Sequence, residues 1–287
     1  MYKTLSEIIS VCEKSGKPLW LVTAEEEAAE QAKTTDEIFE EMRKMYSAMK
    51  YTLENYDPDL RSRSGMTGTA GAAYEKFAAE NKSLVGEYLD MVIAAAIKTA
   101  ESNACMKRIV AAPTAGSCGV LPAVLISYEK FKSADEDNMV KALFVAGCIG
   151  EIIAKNASLS GAQGGCQAEI GSAAAMAAAA LAFLEGGDNE CIASAAALTM
   201  KNMLGLTCDP VAGLVEVPCV KRNVSGAVNA VSYAQLSLAG IRSVIPADEV
   251  IDSMRRIGRL LPECLRETGM DGLAVTPTAC EISERLK

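Results

Sequence analysis

Residues 170–184 form an unbroken run of 15 between Glu169 and Glu185 without a charged residue, eight of them alanine. A membrane-spanning helix needs about 20 such residues, so the run is expected inside a protein core. Alanine is the best helix former and has almost no side chain, which lets neighbouring helices approach closely. A helix of this kind belongs at the centre of a bundle and positions whatever lies at its ends. The rest of the core must be aliphatic too, because aromatics make up only 5% of the chain, with one Trp.

The remaining apolar spacing is helical. Thr34 and Glu37 have capping-box spacing, and Ile38, Met42, Met45, Met49 and Leu53 then share one helix face. Ser133 and Glu136 suggest a second box, opening a helix to about 154. Helical pattern also covers about 84–107, 120–131, 166–184, 189–203, 222–241 and 247–261. Residues 108–112 are the best short strand candidate, and no helix–strand alternation suits a doubly wound sheet. The expected fold is therefore all-α, a compact helical bundle around Ala-rich central helices, with Ser/Thr/Gly-rich loops forming the site. Two parts are expected: an acidic helical segment over 1–60, holding 13 acidic and 7 basic side chains, and a larger all-α domain over 61–287.

The net charge of −9 argues against nucleic acid or an anionic membrane as partner, since both need a basic face. Arg255, Arg256 and Arg259 read as a solvated helix face. Residues 1–10 lack the basic and apolar regions of a leader peptide. Ten cysteines in such a chain point to a reducing, cytoplasmic setting rather than a disulfide scaffold. There is no histidine, which removes the commonest general base and the commonest metal ligand.

Three segments combine glycines and hydroxyls ahead of a helix: residues 64–69, 113–119 and 156–165. Glycine lets backbone N–H groups approach a ligand, hydroxyls add donors, and a helix start adds partial positive charge. The candidate contacts for a small carboxylate substrate are Ser64, Thr67, Gly68, Thr114, Gly116, Ser117, Asn156, Ser158 and Ser160. Ordinary capping and turn chemistry is the alternative for each loop. Cys166, Cys208 and Cys219 stand beside Gly or Pro, where a thiol can be presented rather than packed. Soft thiolate ligands without histidine suit an iron–sulfur cluster; structural zinc and simple burial are the rivals.

Taken together, Arg61-Ser62-Arg63-Ser64-Gly65-Met66-Thr67-Gly68, Ala112-Pro113-Thr114-Ala115-Gly116-Ser117-Cys118-Gly119, Lys155-Asn156-Ala157-Ser158-Leu159-Ser160-Gly161-Ala162, Gly165-Cys166-Gln167-Ala168-Glu169 and Gly205-Leu206-Thr207-Cys208-Asp209-Pro210 with Val217-Pro218-Cys219 resemble the catalytic part of iron–sulfur-dependent L-serine dehydratases. The likeness covers about 60–277. The resemblance implies a [4Fe–4S] cluster on Cys166, Cys208 and Cys219, an all-α catalytic domain, no pyridoxal phosphate, and a role in amino-acid degradation and gluconeogenesis. Single-chain members carry an extra α/β domain ahead of the catalytic one, and nothing here resembles it. The chain thus looks like the α subunit of a two-chain form, a heterodimer with a β subunit. Some single-chain members end in a cysteine near the C-terminus that caps the fourth iron, whereas here seven residues follow Cys280.

Such a lyase must remove the α-proton and the β-hydroxyl of serine. Lys155 or a carboxylate are the candidates for the base within this chain, and the partner chain is the preferred source. Lys155 is also a candidate partner for the substrate carboxylate. Related lyases acting on cysteine or threonine, and a non-catalytic cluster-carrying subunit, remain alternatives.

Overall fold

Strong local helix signals are realised wherever a buried face supports them. The computed structural model describes residues 2–80 and 83–287, and among these the chain forms thirteen α-helices and no strand. The alanine run is α9 (Ser172–Leu184), of which eleven residues are buried. Around it pack α6 (Val120–Lys132), α7 (Glu136–Asn156), α10 (Asn189–Lys201) and α11 (Cys219–Leu238). Residues 167–184 are apolar and long enough to cross a membrane by composition, yet 83% of that window is buried inside the bundle.

A second layer completes the bundle. Helix α5 (Glu87–Ala104) packs on α6 and α11, with α4 (Ala70–Ala79) on its outer side. Helices α1 (Leu5–Ser15), α2 (Leu19–Gln31) and α3 (Thr35–Glu54) meet one another in sequence, and α2 and α3 pack on α7. Leu5, Leu19, Ile38 and Tyr46 from this acidic segment belong to the same buried cluster as the alanines of α9. The single-turn α8 (Gly161–Gly164), then α12 (Ala247–Leu260) and α13 (Pro277–Arg285), close the end of the bundle where the cysteines lie.

The capping box at Thr34 forms as the spacing predicts, with Thr34 accepting from the Glu37 N–H and Glu37 accepting from the Thr34 N–H at 2.8 Å. The second box does not form. Ser133 takes a left-handed conformation that ends α6, and the Asp135 carboxylate caps α7 instead. The strand expected over 108–112 is irregular chain, held by a bond from Thr52 Oγ1 to the Arg108 carbonyl at 3.0 Å. Helix α4 has no spacing signal at its start because a distant residue caps it. The buried Glu101 carboxylate accepts from the N–H groups of Gly68, Ala70 and Gly71 at 2.9–3.1 Å.

Helix contacts are close enough to require glycine. A Cβ at Gly226 of α11 would come within 2.8 Å of Ile170 Cγ2 and 3.0 Å of Val120 Cγ2. Added bulk in such a contact costs about 1–3 kcal/mol. Gly226→Ala is therefore expected to lower the midpoint of urea unfolding by that amount of stability without changing its slope.

Candidate active site at the head of the alanine helix

Between Cys166 and α9 the chain makes one π-helical turn, Gln167–Gly171. Turns of this kind are rare and often occur at functional sites. Here the fully buried Gln167 holds the turn in place. Its Nε2 donates to the Met254 carbonyl at 3.1 Å, its Oε1 accepts from the Gly205 N–H at 2.9 Å, and its own N–H reaches the Leu206 carbonyl at 3.0 Å. Cys166 and Glu169 are three residues apart, so they share a face of this anchored turn.

Cys208 reaches the same place from the loop after α10. Its sulfur lies 4.0 Å from Glu169 Oε2, and its backbone is tied to Leu265 and Glu267. Cys219 begins α11. One turn later Arg222 binds the Thr207 carbonyl at 2.8 Å and the buried Asp209 carboxylate at 2.9 Å, and its guanidinium also meets the Cys166 sulfur. The three cysteines thus come together from three separate segments around Glu169 and Arg222.

Burial dominates the titration of these groups. Burial pushes the Cys166 thiol up to about 11, with Arg222 acting the other way and Glu169 adding to the rise. Burial, then Cys166 and Glu169, raise Cys219 to about 12. Cys208 is raised by burial and by Cys166 and Glu169. Burial also raises the Glu169 carboxyl, opposed by a hydrogen bond from Thr114. Among the described residues, no three His, Cys, Asp or Glu side chains close up as the ligands of a single metal ion do.

The three Ser/Thr/Gly segments stand differently toward this spot, and only the second and third put a glycine against Glu169. In 64–69 the donors serve the protein's own carboxylates. Ser62 and Ser64 both donate to Glu216 Oε2 at 2.6 Å, and Gly68 donates to Glu101. Thr67 Oγ1 is buried without a partner. In 113–119, Thr114 and Ser117 share a hydroxyl contact at 3.0 Å. Asn223 ties that loop to α11 through the Gly116 carbonyl, the Gly119 N–H and the Cys219 carbonyl, at 2.8, 2.8 and 3.0 Å. A Cβ at Gly116 would come 3.3 Å from Glu169 Oε1. One at Gly161 would come 2.9 Å from Glu169 Oε2 and 3.0 Å from Cys208 Sγ. Glu169 therefore sits between two glycines from two of the expected substrate loops.

The third segment divides. Ser160 precedes α8, and Ser158 donates to Gln163 Oε1 at 2.9 Å, bracing that turn. Lys155 and Asn156 lead elsewhere: Lys155 pairs with Glu151 at 2.6 Å and donates to the Tyr2 carbonyl, while Asn156 donates to the Lys3 carbonyl. Glu169, Arg222, Asn223 and Asp209 were not singled out from the sequence as site residues. Glu169 had a visible signal, the charge that opens the apolar run, whereas Arg222 and Asn223 acquire meaning only through the cysteine one turn before them.

Residues 14–274 match the family described as serine dehydratase alpha chain. "Probable L-serine dehydratase, alpha chain" of Bacillus subtilis (strain 168) is 44% identical over 286 residues, covering 100% of this chain and 95% of that protein. "L-serine dehydratase, alpha chain" of Peptoniphilus asaccharolyticus is 42% identical, covering 98% of this chain and 97% of that one. "L-serine dehydratase 2" of Escherichia coli (strain K12) is 34% identical over 98% of this chain but only 63% of its own length. On these matches the chain belongs to the serine dehydratase alpha chain family.

Proposed function

We propose that this chain, together with a β chain, dehydrates and deaminates L-serine to pyruvate and ammonia in the cytoplasm. The observation that carries the reading is the meeting of Cys166, Cys208 and Cys219 around a buried carboxylate and a guanidinium, walled by glycine loops, in a chain of this family. The names of the Bacillus and Peptoniphilus relatives support serine as substrate and an alpha chain that works with another.

The donor set fits a [4Fe–4S] cluster. Three thiols lie close enough to influence one another's charge, no histidine competes, and Arg222 offsets negative charge at Cys166. Three protein ligands leave one of four irons open, and when bound the cluster would supply Lewis-acid assistance to departure of the β-hydroxyl.

The chain's own residues then have defined tasks. Glu169, held by Thr114 and flanked by Gly116 and Gly161, is the group of this chain best situated to take the α-proton, at Oε2. Lys155 is occupied by Glu151 and the Tyr2 carbonyl. The Thr114 hydroxyl holds Glu169 toward the loop, and the buried Ser117 hydroxyl braces Thr114 in turn. Asn223 keeps their loop against the start of α11, so the hydroxyls and the thiols stay in register. Gly116 and Gly161 let their loops approach Glu169 more closely than any residue with a Cβ could.

Two measurements test this. Anaerobic reconstitution of the chain is expected to give about four irons and four sulfides with broad absorption near 400 nm, and Cys208→Ser is expected to hold much less iron. A zinc-loaded or metal-free chain after such treatment would overturn the cluster. With the β chain added, Glu169→Gln is expected to retain iron but lose about 10²–10⁴-fold in kcat on serine, the usual range for a general base. Full activity in that variant would move the base to the partner. Relative turnover of serine, threonine and cysteine by the unmodified protein identifies the preferred substrate.

A further inference from the structure

The arginines that read as a solvated helix face do not all point into open solvent. Arg255 and Arg259 of α12 and Arg266 after it line a cavity of about 310 Å³, together with Ser158 and Gln163. No carboxylate lines this cavity, although the chain as a whole carries net charge −9. Arg255 is paired with Asp252. Arg259 and Arg266 have no ion pair with any described carboxylate, and the Nε of Arg266 is buried without a hydrogen-bond partner. A buried donor left unmade is costly, and guanidinium groups match the oxygens of carboxylate and phosphate. The volume is at the lower end for ligand pockets, ample for a small anion and too small for a large one.

The cavity stands back to back with the thiol pocket. Ala162, Gln163 and Gly164 of α8 line it, whereas Gly161 of the same turn faces Glu169 and Cys208. Arg266 is bridged through its backbone to Cys208, and the next residue, Glu267, approaches Gly161 from the cysteine side.

We propose that this cavity binds a small oxyanion of the carboxylate or phosphate class, at a site separate from the thiol pocket and sharing the α8 wall with it. The proposal goes beyond the serine-lyase reading and does not depend on it, since the binding can be measured without turnover. Two excess positive charges and an unmade buried donor would all be answered by one anion.

The test is isothermal titration of the full chain with inorganic phosphate and, separately, with malonate. Saturation at one site per chain is expected with at least one of them, at a Kd below about 10 mM. The probe that binds more tightly identifies the chemical class. Arg259→Gln and Arg266→Gln are each expected to weaken it at least tenfold, while Cys208→Ser leaves the affinity unchanged. Arg259 is exposed, so its variant separates lost binding from lost folding, and thermal unfolding of each variant checks the other. No saturation with either anion, or saturation that survives both arginine substitutions, overturns the proposal. Loss of binding in Cys208→Ser with both arginine variants unaffected would also overturn it, by moving the anion to the thiol pocket.

Discussion

Everything at the candidate site depends on how tightly the alanine helix is surrounded. Alanine contributes little apolar area per residue, so α9 can be stable only if several helices contact it at short range. That condition fixes α6, α7, α10 and α11 relative to one another. It also forces small residues onto the neighbours: Gly150 of α7 faces Met176, and Gly226 of α11 faces Ile170. A helix held on all sides cannot shift along its axis. The turn before it, pinned by Gln167 to two other segments, therefore presents Cys166 and Glu169 at fixed positions. A site meant to hold reactive groups within a fraction of an ångström benefits from such an immobile support.

Electrostatics explains the second layer of the design. In a histidine-free, acidic chain the buried carboxylates have to be satisfied by backbone N–H groups, hydroxyls and arginine. Glu101 takes three N–H groups and the Tyr56 hydroxyl, Glu216 takes Ser62 and Ser64, and Asp209 takes Arg222 and the Leu273 N–H. Glu169 is different: its partners are the Thr114 hydroxyl and, at 4.0 Å, the weak thiol donor of Cys208, with another acid nearby. A carboxyl group that the fold leaves so lightly satisfied, next to the cysteines, is one available to a substrate.

The amino-acid sequence made some of this legible and hid the rest for physical reasons. The alanine run, the Thr34 cap and the helical spacing are local, and local chemistry decides them. Ser133 fails as a cap because a charged alternative, Asp135, stands two residues later and the chain needs a left-handed residue to leave α6. The glycines and hydroxyls of 64–69 look like a ligand cradle, but the anions they hold, Glu101 and Glu216, come from residues 33 and 152 positions away. Lys155 sits in a suggestive motif, yet the end of α7 turns it toward the N-terminal segment. The last two outcomes rest on contacts distant in sequence, to which spacing rules are blind.

The sharing of α8 between the thiol pocket and the arginine cavity has a consequence that follows from its size alone. A four-residue turn has no interior, so its two faces cannot move independently. Gly258 packs within 2.9 Å of the Gly164 Cα for any Cβ it might carry, and Gly165 is wedged against Leu206 and Leu261 in the same way. The C-terminal end of the wall is thus held both by α12 and by the loop that carries Cys208. Whatever fills the arginine cavity must either fit that wall as it stands or displace it, and displacement carries Gly161 with it, away from or toward Glu169. By thermodynamic reciprocity, a ligand beside Glu169 that prefers one position of the wall changes the affinity for an anion behind it by the same factor.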